Sequence, residues 1–220
     1  NVIRREFRLK EGEVFDGSKL KRSKQRINNL NYFEDVKIDT HRGQDPDLID
    51  VLATVTERPT GSFSVGVGFS SIENFIFSTS VTQDNLFGNG QRLSLNAHLS
   101  SIRTDFKINF TEPRLFDSEI SFGVDAFNED QDYISFDAQS TGGGFRLGKN
   151  LSEYDSINFK YRLANVETSG VDASDETEFF KNGTRLTSRI APTYVYDSRD
   201  NFLNPSTGWR HVVGFELAGL

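Results

Sequence analysis

A strict alternation of side chains between Gly61 and Ser70 constrains the fold more than any other feature of this sequence. Apolar residues occupy the odd positions (Phe63, Val65, Val67 and Phe69), and Ser or Gly occupies the even ones. A period of two predicts a strand whose two faces meet different media. About eight more segments repeat this pattern, which is typical of a transmembrane β-barrel. A soluble β-sandwich or an open sheet is the alternative.

The composition is compatible with a barrel. The mean hydropathy is −0.50, and only half of the residues in a barrel strand face lipid, so a polar average is expected. No apolar run approaches the ~18 residues that a spanning helix needs. The 220-residue chain contains no cysteine, which excludes a disulfide scaffold and thiolate metal sites.

The charge distribution indicates two domains. Residues 1–30 hold nine Lys and Arg against four Asp and Glu, whereas the whole chain has a net charge of −7. A change in composition coincides with the segment 58–61, where Pro and Gly would stop a preceding strand. We therefore expect a domain boundary at this segment.

The N-terminal part predicts the element order α-α-β-β. A short helix is expected over residues 2–9 and a second helix, capped by Asp16 or Ser18, to about residue 29. Strands are expected over 33–40 and 48–56. The basic face of the second helix suits solvent, an acidic partner or anionic lipid headgroups. It lacks the aromatic residues of a nucleic-acid surface, so we expect no nucleic-acid partner.

After Gly61 we expect nine strands, at about 61–70, 74–83, 90–100, 103–111, 118–128, 133–147, 154–166, 184–197 and 207–218. The sixth changes parity across Gly142, Gly143 and Gly144, which predicts a β-bulge there.

Full charges cannot be left unpaired in a dry core, so the charged face of each strand meets either bulk water on a sandwich exterior or a wet lumen. The barrel alternative predicts which residues face lipid and which face the lumen. The residues expected to face lipid are Phe63, Val65, Val67, Phe69, Leu93, Leu95, Phe106, Ile108, Phe122 and Val124. The residues expected to face the lumen are Arg92, His98, Lys107, Asp125, Lys160 and Arg162. Aromatic residues at one set of strand ends predict an interfacial girdle: Phe87, Phe116, Tyr154, Phe202 and Trp209.

Several separate motifs also resemble one protein family. They are R-R-E-F-R-L-K-E-G, Q-R-I-N-N-L-N-Y-F-E-D-V and T-E-R-P-T-G-S-F-S-V-G-V-G-F-S-S, followed by D-N-L-F-G-N-G, T-E-P-R-L-F-D and Y-D-S-R-D-N-F-L-N-P-S-T-G. In this order they resemble the BamA family of barrel-assembly proteins of Gram-negative outer membranes. That family carries POTRA domains ahead of a sixteen-stranded barrel.

The resemblance implies a mainly β fold, in which residues 1–58 are a partial α+β POTRA domain, the last of its series. Residues 59–220 are then the first nine strands, the N-terminal half, of an antiparallel transmembrane β-barrel. Neither the first POTRA strand nor the closing barrel strands are expected, so the sequence predicts a fragment that cannot close a barrel by itself.

The function implied by the resemblance is assembly and insertion of β-barrel proteins at the outer membrane, with the N-terminal domain in the periplasm. Its partners would be unfolded outer-membrane clients, periplasmic accessory lipoproteins and outer-membrane lipids. The alternative is a polypeptide-secretion or passive pore of the same superfamily.

Two candidate sites follow from the resemblance, and neither is catalytic. The first barrel strand would be a lateral seam: Gly61, Ser62, Phe63, Val65, Gly66, Val67, Gly68 and Phe69. The glycines weaken strand pairing there. The second candidate is an accessory-partner surface at Arg4, Arg5 and Glu11. His41, His98 and His211 are isolated, so we expect no metal site, no cofactor and no enzyme activity.

Overall fold

A computed structural model describes residues 2–45, 47–152, 154–172, 174, 176–177, 181–199 and 205–219. The chain divides into two compact units. The first comprises residues 1–61 and 84–90, and the second comprises 62–83 and 91–220. The segment 84–90, which the sequence pattern predicts to connect two strands, therefore belongs to the first unit.

The first unit begins with a single 3-10 turn, Arg4–Glu6, where sequence analysis predicts a helix over residues 2–9. That prediction is wrong because Phe7 is extended (φ −68°, ψ 132°). The next backbone N–H, that of Arg8, donates to Ser23 Oγ at 2.8 Å instead of continuing a helix.

A helix, α1 (Gly17–Asn29), packs on the strand β1 (Phe33–Arg42), which pairs antiparallel with β2 (Ile49–Glu57). Asp16 caps the helix as predicted, since its carboxylate accepts the N–H groups of Ser18 and Lys19. Ile27 and Val36, 0% and 2% exposed, form the centre of this small core. No helix among the described residues is long and apolar enough to span a membrane.

The second unit contains most of one antiparallel sheet. Its strands are β3 (Gly61–Ser70), β4 (Asn74–Leu86), β5 (Gln91–Leu99), β6 (Arg103–Glu112), β7 (Ile120–Asp132), β8 (Asp137–Asn150), β9 (Asp155–Ser169), β10 (Gly183–Asp197), β11 (Arg210–Gly214) and β12 (Leu217–Ala218). Consecutive strands are neighbours from β3 to β11, and β12 also pairs with β10. The sheet is open, and the predicted mainly β, antiparallel fold is confirmed.

The last predicted strand is split into β11 and β12 because it lies opposite a proline. Phe215 N–H donates to Pro192 C=O at 3.2 Å. A residue in an antiparallel pair exchanges both of its bonds with the residue opposite, and proline has no N–H to return the second one. The ladder therefore breaks at Phe215 and resumes at Leu217, opposite Ile190.

The predicted bulge at Gly142, Gly143 and Gly144 is wrong. The pairing of β8 with β7 and with β9 runs through these residues without a register shift. The glycines instead permit a close approach of two backbones. A Cβ at Gly142 would overlap Leu163 C=O, and one at Gly144 would overlap Tyr161 C=O.

The predicted division of the strands into two faces is confirmed by the register, since directly opposed residues share a face. His98 lies opposite Asp105, Asn109 opposite Asp125, and Arg146 opposite Lys160. One face therefore carries the set expected in a lumen: Arg92, His98, Lys107, Asp125, Lys160 and Arg162. The opposite face carries Leu93, Leu95, Phe106, Ile108, Phe122 and Val124.

Candidate functional site

Strand β3, the predicted seam, is the outermost strand of the sheet on its side. It pairs with β4, and no strand among the described residues pairs with its other edge. Every residue from Gly61 to Phe69 is exposed, and the exposed fractions of Phe63 and Val67 reach 70% and 81%. An unpaired edge leaves a row of backbone N–H and C=O groups available to another strand.

The two faces of β3 differ as its sequence predicts. A Cβ at Gly66 would lie 2.7 Å from Ser78 Oγ, so Gly66 faces the side of Ser78. Two residues on, Ser80 Oγ donates to Asn96 Oδ1 at 2.8 Å, and Asn96 lies opposite Lys107 on the charged face. The apolar side chains of β3 therefore point to the opposite, apolar face.

A groove lined mostly by polar residues lies beside β3 on the charged face, and sequence reasoning missed it. Its volume is about 300 Å³, and its lining includes Ser64, Gly66, Ser78, Asn96 and His98. The signal was present in four small residues at even positions of β3 and β4, which leave room that larger side chains would fill: Ser64, Gly66, Ser78 and Ser80.

Both ends of β3 are anchored by hydrogen bonds. At the start, Asp84 N–H donates to Thr60 C=O at 3.0 Å, and the Thr60 hydroxyl donates to Asp84 C=O. At the end, Ser70 Oγ accepts the N–H of Ile72 at 3.2 Å. The strand is thus fixed at its termini while its outer edge is free of the described residues.

Ion pairs neutralise much of the charged face. Glu129 accepts from Lys107 Nζ at 2.8 Å and from Arg162 Nη2 at 2.7 Å, which links β6, β7 and β9. Arg146 Nε donates to Asp125 Oδ2 at 2.8 Å across β7 and β8. These pairs explain how a sheet face tolerates so many charges.

One aromatic residue lies on the charged face, where sequence reasoning did not place it. Phe127 is two residues from both Asp125 and Glu129, so it shares their side of β7. The Arg162 guanidinium carbon lies 3.6 Å from the Phe127 ring centroid, a cation–π contact. Phe127 lies opposite Gly142, and because glycine has no side chain there is space beside the ring.

The structure separates the three residues predicted to bind an accessory partner. Arg4 Nη2 lies 2.8 Å from Glu11 Oε1, and these side chains are 77% and 83% exposed. Arg5 instead lies against Gly90, where an added Cβ would overlap its guanidinium. Its Nε is buried without a hydrogen-bond partner among the described residues. Of these three residues, only Arg4 and Glu11 form an exposed charged pair.

The predicted aromatic girdle is exposed where the structure describes it. Phe116 is 94% exposed, Phe87 87%, Trp209 71% and Tyr154 51%. Phe202 lies outside the described residues. Among those residues, no group of three His, Asp or Glu is placed to hold a metal ion.

Comparisons with known proteins agree with this geometry. The Omp85 superfamily domain matches residues 85–220, and the POTRA family, described as a surface antigen variable number repeat, matches residues 1–58. The outer membrane protein assembly factor BamA of Nitratidesulfovibrio vulgaris is 33% identical over 94% of this chain and 26% of its own length. BamA of Neisseria meningitidis serogroup B is 34% identical over 72% of this chain and 21% of its own length.

A solved structure shows the same fold. The crystal structure of BamA from Haemophilus ducreyi lacking POTRA domains 1–3 superposes with a TM-score of 0.78 at 21% identity, covering 99% of this chain and 45% of that one. This chain thus spans about a quarter of the length of the two curated relatives. These matches and the sheet assign the second unit to an outer membrane. The chain belongs to the Omp85 superfamily, as a POTRA-bearing member similar to BamA.

Proposed function

We propose that this chain supplies the lateral seam of a factor that folds and inserts β-barrel proteins into an outer membrane. The proposal takes its function from the relatives, which are named outer membrane protein assembly factors. It assigns the chain no covalent chemistry, so the chain acts as a template and not as an enzyme.

The observation that carries this proposal is the place of β3, which is the outermost strand of the sheet and follows directly on the residues that match POTRA. In lipid, unpaired N–H and C=O groups cost several kcal/mol each, roughly, because no water is present to bond them. An incoming client strand that pairs with this edge removes that cost for both chains. Gly66 and Gly68 lower the strength of any competing closure, since glycine loses more conformational entropy on ordering.

The first unit has a separate role in this proposal. It lies in the periplasm, where the exposed Arg4–Glu11 pair contacts an accessory lipoprotein. Outer-membrane lipid surrounds the apolar face of the sheet, whose residues Phe106 and Ile108 are 48% and 50% exposed. No observation in the described part of this structure specifically favours the alternative function, a polypeptide-secretion or passive pore.

The test is to hold the seam shut in the complete polypeptide that carries this sequence. One cysteine replaces Val65 in β3, and a second is placed in the strand that closes the barrel beside it. This sequence contains no cysteine of its own, so any disulfide that this part of the protein forms involves the cysteine placed at Val65. Client insertion should fall when the disulfide forms and recover on reduction.

A matched control places the disulfide between two interior strands, at Leu95 and Ile108, which are opposed in β5 and β6. Insertion should be unchanged by that bond. Full insertion with the seam disulfide formed would contradict the proposal and leave β3 as scaffold.

A further inference from the structure

Two opposite charges lie on the apolar face of the sheet, at the end where β8 meets β9. Lys149 follows Phe145 and Leu147 on that face and is opposed to Ile157. Asp155 is two residues before Ile157 and therefore shares the same face. Tyr194, which is also opposed to Ile157, donates its hydroxyl to Asp155 Oδ1.

Neither charge is neutralised within the described residues. Asp155 Oδ2 accepts the Ser152 hydroxyl at 2.6 Å, so both carboxylate oxygens meet neutral hydroxyl donors. No described cation lies within 4.0 Å of this carboxylate, and no described anion lies within 4.0 Å of Lys149 Nζ. A carboxylate oxygen has more than one lone pair, so Asp155 can accept further bonds. Charges at a lipid boundary are costly unless they meet opposite charge.

Aromatic rings line the same rim. The Tyr154 and Tyr196 ring centroids are 6.3 Å apart, and Tyr196 stacks on His211 at 6.1 Å. Trp209 extends the row, parallel to His211 within 8°. Ring faces attract cations, with Trp and Tyr the stronger aromatic partners. An ammonium group at Asp155 would therefore meet a carboxylate and nearby ring faces.

We propose that Lys149, Asp155 and the adjoining tyrosines bind the zwitterionic headgroup of an aminophospholipid, phosphatidylethanolamine. Its primary ammonium donates to Asp155 and lies against Tyr154 or Tyr196, and its phosphate accepts from Lys149. Residues on a strand-pair diagonal are ~7–8 Å apart, which leaves room for a headgroup between the two charges.

Competing headgroups fit this rim less well. An anionic headgroup without an ammonium satisfies Lys149 but repels Asp155. A quaternary ammonium reaches the rings but has no N–H to donate to the carboxylate. The site does not depend on the assembly function, since it needs only a sheet that faces lipid.

The experiment is native mass spectrometry of the complete polypeptide in detergent, with phosphatidylethanolamine, phosphatidylcholine and phosphatidylglycerol supplied in turn. The wild-type protein should retain phosphatidylethanolamine preferentially. Lys149→Gln and Asp155→Asn should each weaken its binding about tenfold, the loss expected for one charge-assisted hydrogen bond.

Two control variants separate the site from general charge effects. Lys160→Gln removes a cation from the opposite face, and Asp130→Asn removes a carboxylate from the other end of the apolar face. Both should leave lipid retention unchanged. Equal retention of the three lipids, a preference for phosphatidylcholine or phosphatidylglycerol, or losses in the controls as large as those at Lys149 and Asp155 would each overturn the proposal. The wild-type ranking decides the question even if a variant fails to fold.

Discussion

Replacing Val124 with arginine tests whether the apolar face of the sheet meets lipid. Val124 lies on that face between Phe110 and Phe145, its partners in β6 and β8, and is 43% exposed. It is two residues from Ala126, the central residue of the 13-residue strand β7. At a rise of about 3.3 Å per residue and a tilt of about 40°, this offset is roughly 5 Å along the membrane normal.

The apolar band of a barrel is about 25 Å tall, so an arginine at this depth lies well inside it. The expected cost is therefore about 2–3 kcal/mol of folding free energy, within the range of ~2–4 kcal/mol for a cation near the midplane. Reversible urea unfolding of the complete protein in lipid vesicles measures this difference.

Asn109→Arg is the matched control. Asn109 lies on the charged face opposite Asp125, so a new guanidinium there meets water and a carboxylate. Its cost should be within about 0.5 kcal/mol of zero, as for most polar surface changes. Equal costs for Val124→Arg and Asn109→Arg would refute the assignment of the two faces.

Three further predictions concern other parts of the chain. Gly144→Ala should destabilise the sheet by about 1–3 kcal/mol because its Cβ overlaps Tyr161 C=O, whereas Gly68→Ala, with 4.0 Å to Ile76 Cβ, should change the urea midpoint little. The pKa of Asp16 is lowered mainly by the hydrogen bond from the Ser18 hydroxyl, so Asp16 stabilises α1 above about pH 3.9 and loses this effect as the pH falls through its lower folded pKa. Thermal midpoints measured at pH 5 and pH 3 should therefore differ more for the wild type than for Asp16→Asn. Equal differences would contradict this prediction. Reversal of the charge of Arg4 or of Glu11 should weaken recovery of a periplasmic partner in a pull-down, whereas the control Lys24→Glu should not. The barrel should stay folded in these variants because an exposed ion pair contributes only about 0–1 kcal/mol.

The strands and their faces were predictable from sequence because period-two patterns depend on side-chain alternation alone. Alternation alone puts Val124 and Asp125 on opposite faces, and the register agrees. The cap at Asp16 was likewise predictable, since capping uses only local chemistry. For the seam, sequence indicated the strand but not the groove of small residues beside it.

The errors arose where distant parts of the chain decide local structure. The predicted first helix fails because Ser23, 15 residues away, takes the N–H of Arg8. The predicted bulge is wrong because Gly142 is needed for the close approach of the β9 backbone, where a side chain would overlap it. The glycines therefore do not mark an extra, unpaired residue. The contact of Arg5 with Gly90 is likewise one that no local pattern reveals, and the predicted role of Arg5 in partner binding stays a prediction.

Disulfide capture during assembly tests most directly whether the outer edge of β3 pairs with client strands. A cysteine at Ser64 in β3 is compared with one at Ser94 in β5, an interior strand paired on both sides. Both positions lie on the charged side of the sheet, and the chain has no other cysteine. Cysteines are then scanned along the terminal strands of a client barrel.

We expect adducts between Ser64→Cys and a terminal client strand, strongest at alternate client positions because opposed residues share a face. Ser94→Cys should give none. Client insertion that proceeds normally without any Ser64→Cys adduct, or with equal adducts from Ser94→Cys, would contradict the claim that this edge receives the client.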